Sequence, residues 1–490
     1  MRSRPGRVTK PFLPCAIGVC LVYAAFFPVV IYSVDGNSMV AVAESLVTGH
    51  GFTVPISGLG VIGRHGLYYS SWYPLLSVLA SPPVAIGVFL SHRLGLPQHY
   101  VAAMFALTLS PILTAATVLM VALIARRLGA TTRGSMLAAL GFGFGTIALV
   151  YSRDFFADPL LALLTAAGIY FSLGDDRRET AAAGAAALLA VLAKPTGIVL
   201  GPCLGAYLLC KRRPAARWIA PLCGTAAGLS IYFVYNWIRF ANPLNFGQPQ
   251  AFALDAIAAA LAGLLISPGR GLLWYCPAVI ALVAVPGAIF KRWEGALIVA
   301  VAGAYLAEHS IWLFWAGGWS WGPRLLLPAL PGLMALTGLV ERRGRRLLIA
   351  LTIAGFIVNS PTLISFYQRY YQEAAAEHIG PAARMWNPRY APLFRIWGAA
   401  WRETADAYRS ADQVGAFVHQ AGNAPLAASV ESSRTLRIVN LWWWMLPVLG
   451  IPRAAGAAVS FALLLMGLWL IAHALARAPD NDGAPLAAGS

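Results

Sequence analysis

The chain has 490 residues, of which 59% are hydrophobic and 11% are charged, and its formal net charge is +17. Soluble globular domains carry about 25% charged residues, so this composition excludes an ordinary soluble protein. Apolar runs of about 20 residues recur along the chain and predict an all-α polytopic membrane protein with about 12 transmembrane helices and external juxtamembrane helices. The excess of lysine and arginine is then typical of cytoplasmic loops, and we expect no nucleic-acid partner.

The positions of the basic residues predict how the chain is oriented. Four basic residues precede the first apolar run at 11–32, and basic loops stay on the cytoplasmic side. This rule places residues 33–91 outside the cell. The apolar run 74–91 is interrupted by Pro82 and Pro83, and we expect it to dip into the outer leaflet rather than cross. Both termini are then cytoplasmic, and the protein is expected in the plasma or inner membrane.

Composition changes along the chain predict its organisation. Two short apolar runs at 181–193 and 196–210 predict a hairpin that carries Lys194 at its tip. The expected units are a transmembrane catalytic module at 1–366 with its external loop 33–91, an external loop-and-hairpin cap at 367–453, a last transmembrane helix at 454–476 and a disordered cytoplasmic tail at 477–490.

The first external stretch contains the residues that stand out most. Asp35 lies where the chain leaves the first apolar run, and an amphipathic segment that includes Glu44 follows it. A loop with Arg64 then leads to an aromatic cluster. An acid at a membrane surface, followed by a surface helix and an aromatic loop, is typical of one wall of an active site. The aromatic residues are Tyr68, Tyr69 and Trp72.

Two further acids occupy the short external turn YSRDFFADP, at Asp154 and Asp158. Asp158 directly precedes a proline, and Asp35 opens the sequence D-G-N-S, so either acid could instead cap the helix that follows. An ionisable group at membrane depth is a functional candidate because leaving it in lipid would cost several kcal/mol. Asp35, Asp154 and Asp158 are therefore the candidate catalytic acids.

Four basic residues on the same side are candidates for binding a phosphate group. The alternative for each is a side chain that reaches toward the phosphates of the surrounding lipid. Lys194 fits this alternative least well, because it lies at a hairpin tip within a long apolar region. The four candidates are Lys194, Arg270, Arg324 and Arg64.

Tryptophans concentrate on the predicted outer side, where Trp319 and Trp321 lie in WAGGWSWGPR. They could form an interfacial belt or pack against the flat face of a sugar or a lipid headgroup. With Glu44 and the aromatic cluster, they are candidate acceptor- or sugar-binding residues. Glu308 and His309 could be metal ligands or a hydrogen-bonded polar pair, so a divalent metal is left open while no cofactor is specifically indicated.

Several segments, in their order along the chain, resemble one family of membrane enzymes. These are YPLLSVLASPP after the first external loop, YSRDFFADPLL, the lysine hairpin LAVLAKPTGIVLGP and WAGGWSWGPRLLLPALP. They resemble the superfamily C glycosyltransferases, and in particular the aminoarabinose transferase and protein O-mannosyltransferase-like members. One difference is that relatives commonly have an acidic pair in the first loop, whereas Gly36 follows Asp35 here.

The resemblance implies transfer of a sugar from a polyprenyl-phosphate donor to a hydroxyl group of an envelope acceptor, with inversion at the sugar carbon. Asp35 would be the general base, and Lys194, Arg270 and Arg324 would bind the donor phosphate. Two other functions remain open from the sequence: a flippase or transporter of lipid-linked sugars, and a non-catalytic assembly protein. Convergence of Asp35, Asp158 and Lys194 on one cavity would favour the enzyme.

Overall fold

The computed structural model describes residues 10–55, 58–249, 251–409 and 438–480. The first basic residues and most of the tail expected to be disordered, beyond residue 480, lie outside the described residues. The first half of the chain forms α1 (Leu13–Ala25), α2 (Val34–Val47), β1 (Val61–Ile62), β2 (Tyr68–Tyr69), α3 (Pro74–Leu94), α4 (Gln98–Leu107), α5 (Leu109–Arg127), α6 (Thr132–Gly145), α7 (Ala148–Tyr151), α8 (Ala157–Ser172), α9 (Arg177–Ala193), α10 (Leu200–Cys210) and α11 (Ala215–Phe240).

The second half is also helical, and 3-10 segments interrupt several of its apolar runs. Its α-helices are α12 (Ile257–Ile266), α13 (Leu272–Tyr275), α14 (Pro286–Phe290), α15 (Trp293–Ser310), α16 (Leu330–Thr337), α17 (Arg342–Asn359), α18 (Tyr367–Ala376), α19 (Pro381–Trp386), α20 (Pro392–Arg409) and α21 (Arg453–Ala476). The 3-10 segments include Pro195–Val199, Pro277–Ala284 and Arg324–Ala329. Helices suit a lipid environment because each satisfies its backbone hydrogen bonds internally.

Within the described residues, five helical segments are long and apolar enough to cross a membrane. They are α3, the joined α4 and α5, α11, α17 with its following turn, and α21. Other apolar segments are shorter because prolines and 3-10 turns divide them, as at Pro195 and Pro328. The chain is thus a multi-pass helical membrane protein, and the expected number of about 12 crossings is not confirmed.

The two prolines in the run at 74–91 do not break its helix. Helix α3 is continuous for 21 residues with Pro82 and Pro83 inside it. The hydroxyl of Ser81 donates a hydrogen bond to the Ser77 carbonyl at 3.0 Å. Whether α3 crosses the membrane or dips into it stays a prediction.

The expected hairpin is formed by α9 and α10, which both pack on α11. Gly184 of α9 lies against Ala220 and Gly228 of α11 against Leu188, so α9 and α11 run parallel. Gly201 and Gly205 of α10 lie against Thr225 and Trp218, so α10 runs antiparallel to α11 and therefore to α9. Lys194 and the following 3-10 turn form the tip of this hairpin.

A buried apolar cluster seats α2 against the rest of the protein. Met39, Val40 and Ala43 of α2 join side chains from α3, α4, the start of α8 and the end of α9. At Gly36, a β-carbon would lie 2.9 Å from the Phe155 carbonyl oxygen, which is closer than side-chain atoms tolerate. A residue with a side chain therefore does not fit at position 36 unless its neighbours shift.

Candidate functional site

Four side chains from distant parts of the chain form a row of alternating charge. The Lys194 ammonium donates a hydrogen bond to Asp158 Oδ1 at 2.7 Å. The other Asp158 oxygen lies 3.7 Å from Arg324 Nε, and Arg324 Nη1 donates to Asp35 Oδ2 at 3.4 Å. We call Asp35, Arg324, Asp158 and Lys194 the charge cluster. Asp35, Asp158 and Lys194 therefore lie in one connected row, and their convergence on a single external cavity stays a prediction.

Helix ends position the two acids of the charge cluster. Ser33 is the N-cap of α2 and its hydroxyl accepts a hydrogen bond from the Gly36 amide, so Asp35 lies in the first turn without being the cap. Phe156 is the N-cap of α8, and Asp158 lies in that first turn. Neither acid is an N-cap, so capping does not explain them. Both carboxylates lie where the helix dipole favours negative charge.

The two cations lie at breaks in apolar segments. Lys194 ends α9 in an extended conformation, directly before the 3-10 turn that begins at Pro195. Arg324 begins the 3-10 segment Arg324–Ala329, and its guanidinium lies 4.2 Å from the centre of the Phe156 ring. The ring shields one face of the guanidinium and interacts favourably with its charge.

Exposure differs from one end of the charge cluster to the other. The side chains of Asp158 and Lys194 are 4% and 8% exposed, whereas 23% of the Asp35 side chain is accessible. Buried charges are tolerated when they are paired, and Asp158 accepts a hydrogen bond from Lys194 on one side and forms a longer ion pair with Arg324 on the other. Burial raises the pKa of Asp35 above its usual range, Arg324 opposes this rise, and the negative charge of Asp158 adds to it. Asp35 is therefore the member best placed to meet a substrate and to exchange a proton.

Asp154 is buried beside the charge cluster and has different partners. Its carboxylate accepts a hydrogen bond from the Tyr367 hydroxyl at 2.6 Å and a longer one from Gln368 at 3.4 Å. Burial raises the pKa of Asp154 to about 6, and the Tyr367 hydrogen bond limits the rise. Its neighbour Arg153 is occupied by backbone carbonyls of Phe26, Thr362 and Asn440.

The raised pKa of Asp154 predicts a measurable dependence of stability on pH. The folded protein binds the Asp154 proton more tightly than the unfolded chain does, so this residue stabilises the fold less as pH rises from about 4 to about 6. Lowering pH from about 7 to about 5 should stabilise the wild type relative to Asp154→Asn by about 1 to 2 kcal/mol. Thermal unfolding in detergent at both pH values measures this difference, and the exposed Asp406→Asn is the control. An equal response of wild type and Asp154→Asn would contradict the prediction.

Three residues predicted to meet substrate have other roles in the structure. Trp321 is fully buried, and its indole nitrogen donates to Asn359 Oδ1 at 2.7 Å, so its ring offers no face to a sugar. Glu44 is buried and bonded to His99. The Arg270 guanidinium donates to backbone oxygens of the segment 318–322 and to the Ser320 hydroxyl. The partners of these three side chains are distant in sequence, so the local sequence does not predict the contacts.

The remaining candidates lie at the surface or in the small β-hairpin. Trp319 is 47% exposed and stacks on Tyr371 with ring centres 6.0 Å apart. Tyr69 is buried and pairs with Val61 across the hairpin. Trp72 and Tyr68 are partly buried, and Arg64 is exposed in the hairpin turn. Of these aromatic side chains, Trp319 keeps the largest open ring surface for a ligand.

Glu308 and His309 do not form the expected hydrogen-bonded pair through their buried atoms. Glu308 Oε2 and His309 Nε2 are both buried and have no hydrogen-bond partner. Consecutive residues of a helix point in different directions, which separates the two groups. In the part of the chain that the structure describes, no group of three or more histidine, cysteine or acidic side chains could hold a metal ion.

Sequence reasoning missed two residues that shape the site. Phe156 lies under Arg324, although an apolar residue in an apolar segment gives no signal of this contact. His99 bonds to both Asn37 and Glu44 of α2. The seven-residue spacing of Asn37 and Glu44 places them on one face of a helix, and this spacing could have indicated a shared partner.

No protein-family model matches the chain, and no curated protein matches it. Its structure is similar to crystal structures of ArnT from Cupriavidus metallidurans. The apo form has 16% identity and a TM-score of 0.49, over 94% of this chain and 77% of ArnT. The form bound to undecaprenyl phosphate has 16% identity and a TM-score of 0.48, over 96% and 79%.

A further similarity is to the Archaeoglobus fulgidus oligosaccharyltransferase. It has 12% identity and a TM-score of 0.43, over 88% of this chain and 60% of that enzyme. Both neighbours are glycosyltransferases, which is the class that the sequence motifs resemble. At these identities and TM-scores, the activity of this chain has to be argued from its own residues.

Proposed function

We propose that the protein is a membrane glycosyltransferase that moves a sugar from a polyprenyl-phosphate donor to an acceptor hydroxyl on the external face of the membrane. The observation that carries this proposal is the charge cluster. It presents a partly exposed carboxylate, Asp35, beside a partly buried cation, Arg324, and a buried one, Lys194. A base next to fixed cations is the arrangement that displacement of a phosphate leaving group requires.

Asp35 acts as the general base in this proposal. The acceptor oxygen forms a bond to the anomeric carbon of the sugar while the bond from that carbon to the phosphate oxygen breaks. The acceptor proton goes to Asp35, and the electron pair of the broken bond goes to the polyprenyl phosphate. A single displacement inverts the sugar carbon. The raised pKa of Asp35 makes its ionised form a stronger base than an ordinary aspartate.

Arg324 and Lys194 stabilise the leaving phosphate. The donor is a phosphate diester with one negative charge, and the released polyprenyl phosphate gains a second. Cations that are already fixed by Asp158 need little rearrangement to meet this added charge, so they stabilise the transition state more than the bound donor. Asp158 is therefore a positioning residue that holds both cations.

Replacing Lys194 with glutamine tests the phosphate role. The glutamine amide can still donate a hydrogen bond to Asp158, so the change removes charge while conserving the buried contact. We expect kcat/KM for the lipid donor to fall about tenfold or more, which corresponds to at least about 1.4 kcal/mol of transition-state stabilisation. Lys211→Gln is the matched control, because Lys211 pairs with Glu294 rather than with the charge cluster. An unchanged kcat/KM would contradict the phosphate role of Lys194.

A donor panel tests the proposed function itself. Purified protein in proteoliposomes is incubated with polyprenyl-phosphate mannose, glucose, arabinose and an aminosugar, together with an envelope extract as the acceptor source. The proposal expects one of these sugars to become attached to a component of the extract. Absence of transfer from every polyprenyl-phosphate donor would contradict it. The panel also identifies the sugar, and fractionating the labelled product identifies the acceptor.

A further inference from the structure

His99 lies at the start of α4 and contacts the base-bearing helix α2 at two points. Its Nδ1 lies 2.8 Å from Glu44 Oε2, and its Nε2 lies 2.9 Å from Asn37 Oδ1. All three residues are less than 10% exposed. Asn37 and Glu44 are two turns apart on one face of α2, so a single imidazole ring bridges both.

The hydrogen bonds around Asn37 determine which of its atoms faces His99. The Asn37 side-chain nitrogen donates to the carbonyls of Ile31 and Ser33, at 2.8 and 2.9 Å. The atom that faces His99 is therefore the amide oxygen, which can only accept. The Glu44 carboxylate also accepts. When Glu44 is ionised, this arrangement is satisfied only if both ring nitrogens of His99 carry a proton, so the geometry fits an imidazolium.

We propose that His99, as an imidazolium, is a positioning residue for Asp35. This inference rests on the proposed function, in which Asp35 is the base. His99 fixes Asn37, and Asn37 holds the carbonyls of Ile31 and Ser33 immediately before α2. The first turn of α2, which carries Asp35, is thereby held in place relative to Arg324.

Loss of one proton from His99 breaks this arrangement. A neutral imidazole has one N–H, so its lone pair must face either the Asn37 oxygen or the Glu44 carboxylate. Either contact sets two acceptors against each other at a buried position, which is unfavourable. The first turn of α2 then loses a restraint, and a displacement of about 1 Å at a catalytic group can cost about 100-fold in rate.

Other ionisable groups lie on the helices around His99. His92 Nε2 donates a hydrogen bond to Gln98 Oε1 at 3.1 Å, and the Gln98 side-chain nitrogen donates to Glu44 at 3.4 Å. Arg93 stacks on Phe89 of its own helix. The ionisable residues of the packed elements are Asp35 and Glu44 on α2, His92 and Arg93 on α3, Tyr100 on α4, and Arg126 and Arg127 at the far end of α5.

The protonation of His99 can be measured without any assay of activity. Solid-state nitrogen NMR of the full chain, labelled at histidine and reconstituted in liposomes, distinguishes an imidazolium from a neutral ring. We expect one imidazolium signal near neutral pH that disappears in His99→Gln and persists in His92→Ala. A neutral His99 would overturn this inference and leave the proposed function untouched.

The positioning role is measured in the pH profile of sugar transfer. We expect His99→Gln to lower kcat near neutral pH by about 10- to 100-fold with the donor KM unchanged. For the wild type we expect kcat to decline on the alkaline side of the pH profile. We expect His99→Gln to lack this decline. Glu44→Gln removes the carboxylate that favours the imidazolium, so it should move that decline to lower pH, whereas His92→Ala should leave it in place.

These outcomes separate the two proposals. An alkaline decline that stays unchanged in both His99→Gln and Glu44→Gln would overturn the positioning role, because a merely structural role does not move a pH profile. If His99→Gln does not fold, Glu44→Gln tests the positioning role by itself. A shift of the alkaline decline of kcat to lower pH supports the role, and an unchanged decline overturns it. A wild type that transfers no sugar from any donor, with His99 still an imidazolium, would contradict the proposed function instead.

Discussion

Replacing Asp35 with asparagine is expected to lower kcat for sugar transfer by about 10²- to 10⁴-fold, the usual contribution of a general base. Asparagine is similar in size and can still accept the hydrogen bond from Arg324, so the fold should be conserved. The steady-state rate with the donor identified by the panel measures the effect. Asp406→Asn, an exposed change on α20, is the control. A folded Asp35→Asn protein that retains the wild-type rate would contradict the assignment of the base.

The raised pKa of Asp35 gives this prediction a pH dependence. The base works when it is ionised, so kcat/KM should fall as pH decreases through the pKa of Asp35. Because burial raises that pKa, the fall should begin at a higher pH than an ordinary aspartate would give. The residual kcat/KM of Asp35→Asn should not fall in this way as pH decreases.

Replacing Arg324 with alanine is expected to have the second largest effect. Arg324 lies between Asp35 and Asp158, and its removal leaves the buried Asp158 with Lys194 alone and the two acids without a cation between them. Breaking a buried ion pair typically costs about 3 to 5 kcal/mol of stability. Sugar transfer should also be lost, because Arg324 would no longer stabilise the negative charge that develops on the leaving phosphate.

Arg324→Lys distinguishes charge from geometry at this position. Lysine keeps the positive charge and loses the planar group that reaches both acids and lies over Phe156. We expect it to restore part of the stability and little of the activity. Arg402→Ala, which removes an exposed partner of Glu373, is the control and should leave the unfolding midpoint nearly unchanged. Equal unfolding midpoints and transfer rates for wild type and Arg324→Ala would contradict the central position of Arg324.

The members of the charge cluster could be named from the sequence because ionisable residues at the ends of apolar runs are rare. Asp35, Asp158, Lys194 and Arg324 each stand at such a break, and the cost of leaving a charge in lipid makes such positions informative. Their pairing could not be predicted. The contact of Arg324 with Asp35 joins residues 289 positions apart, and it depends on how α2 and the 3-10 segment Arg324–Ala329 lie relative to each other.

Other features of the fold depend on contacts that the sequence does not reveal. The resemblance suggested a second acid beside Asp35, whereas position 36 holds a glycine that lies too close to the Phe155 carbonyl for a side chain. Pro82 and Pro83 interrupt the apolar run in the sequence, yet α3 continues through them. Trp321 was grouped with Trp319, but only the tertiary structure distinguishes the buried ring from the exposed one.

The most direct test of the central claim is the fate of the lipid carrier during the reaction. Purified protein in proteoliposomes is given a polyprenyl-phosphate donor labelled in both the sugar and the lipid, together with the acceptor extract. A glycosyltransferase releases one polyprenyl phosphate for each sugar transferred, and Asp35→Asn should suppress both products together. Passage of the intact lipid-linked sugar across the bilayer, without release of polyprenyl phosphate, would contradict the account and identify a transporter.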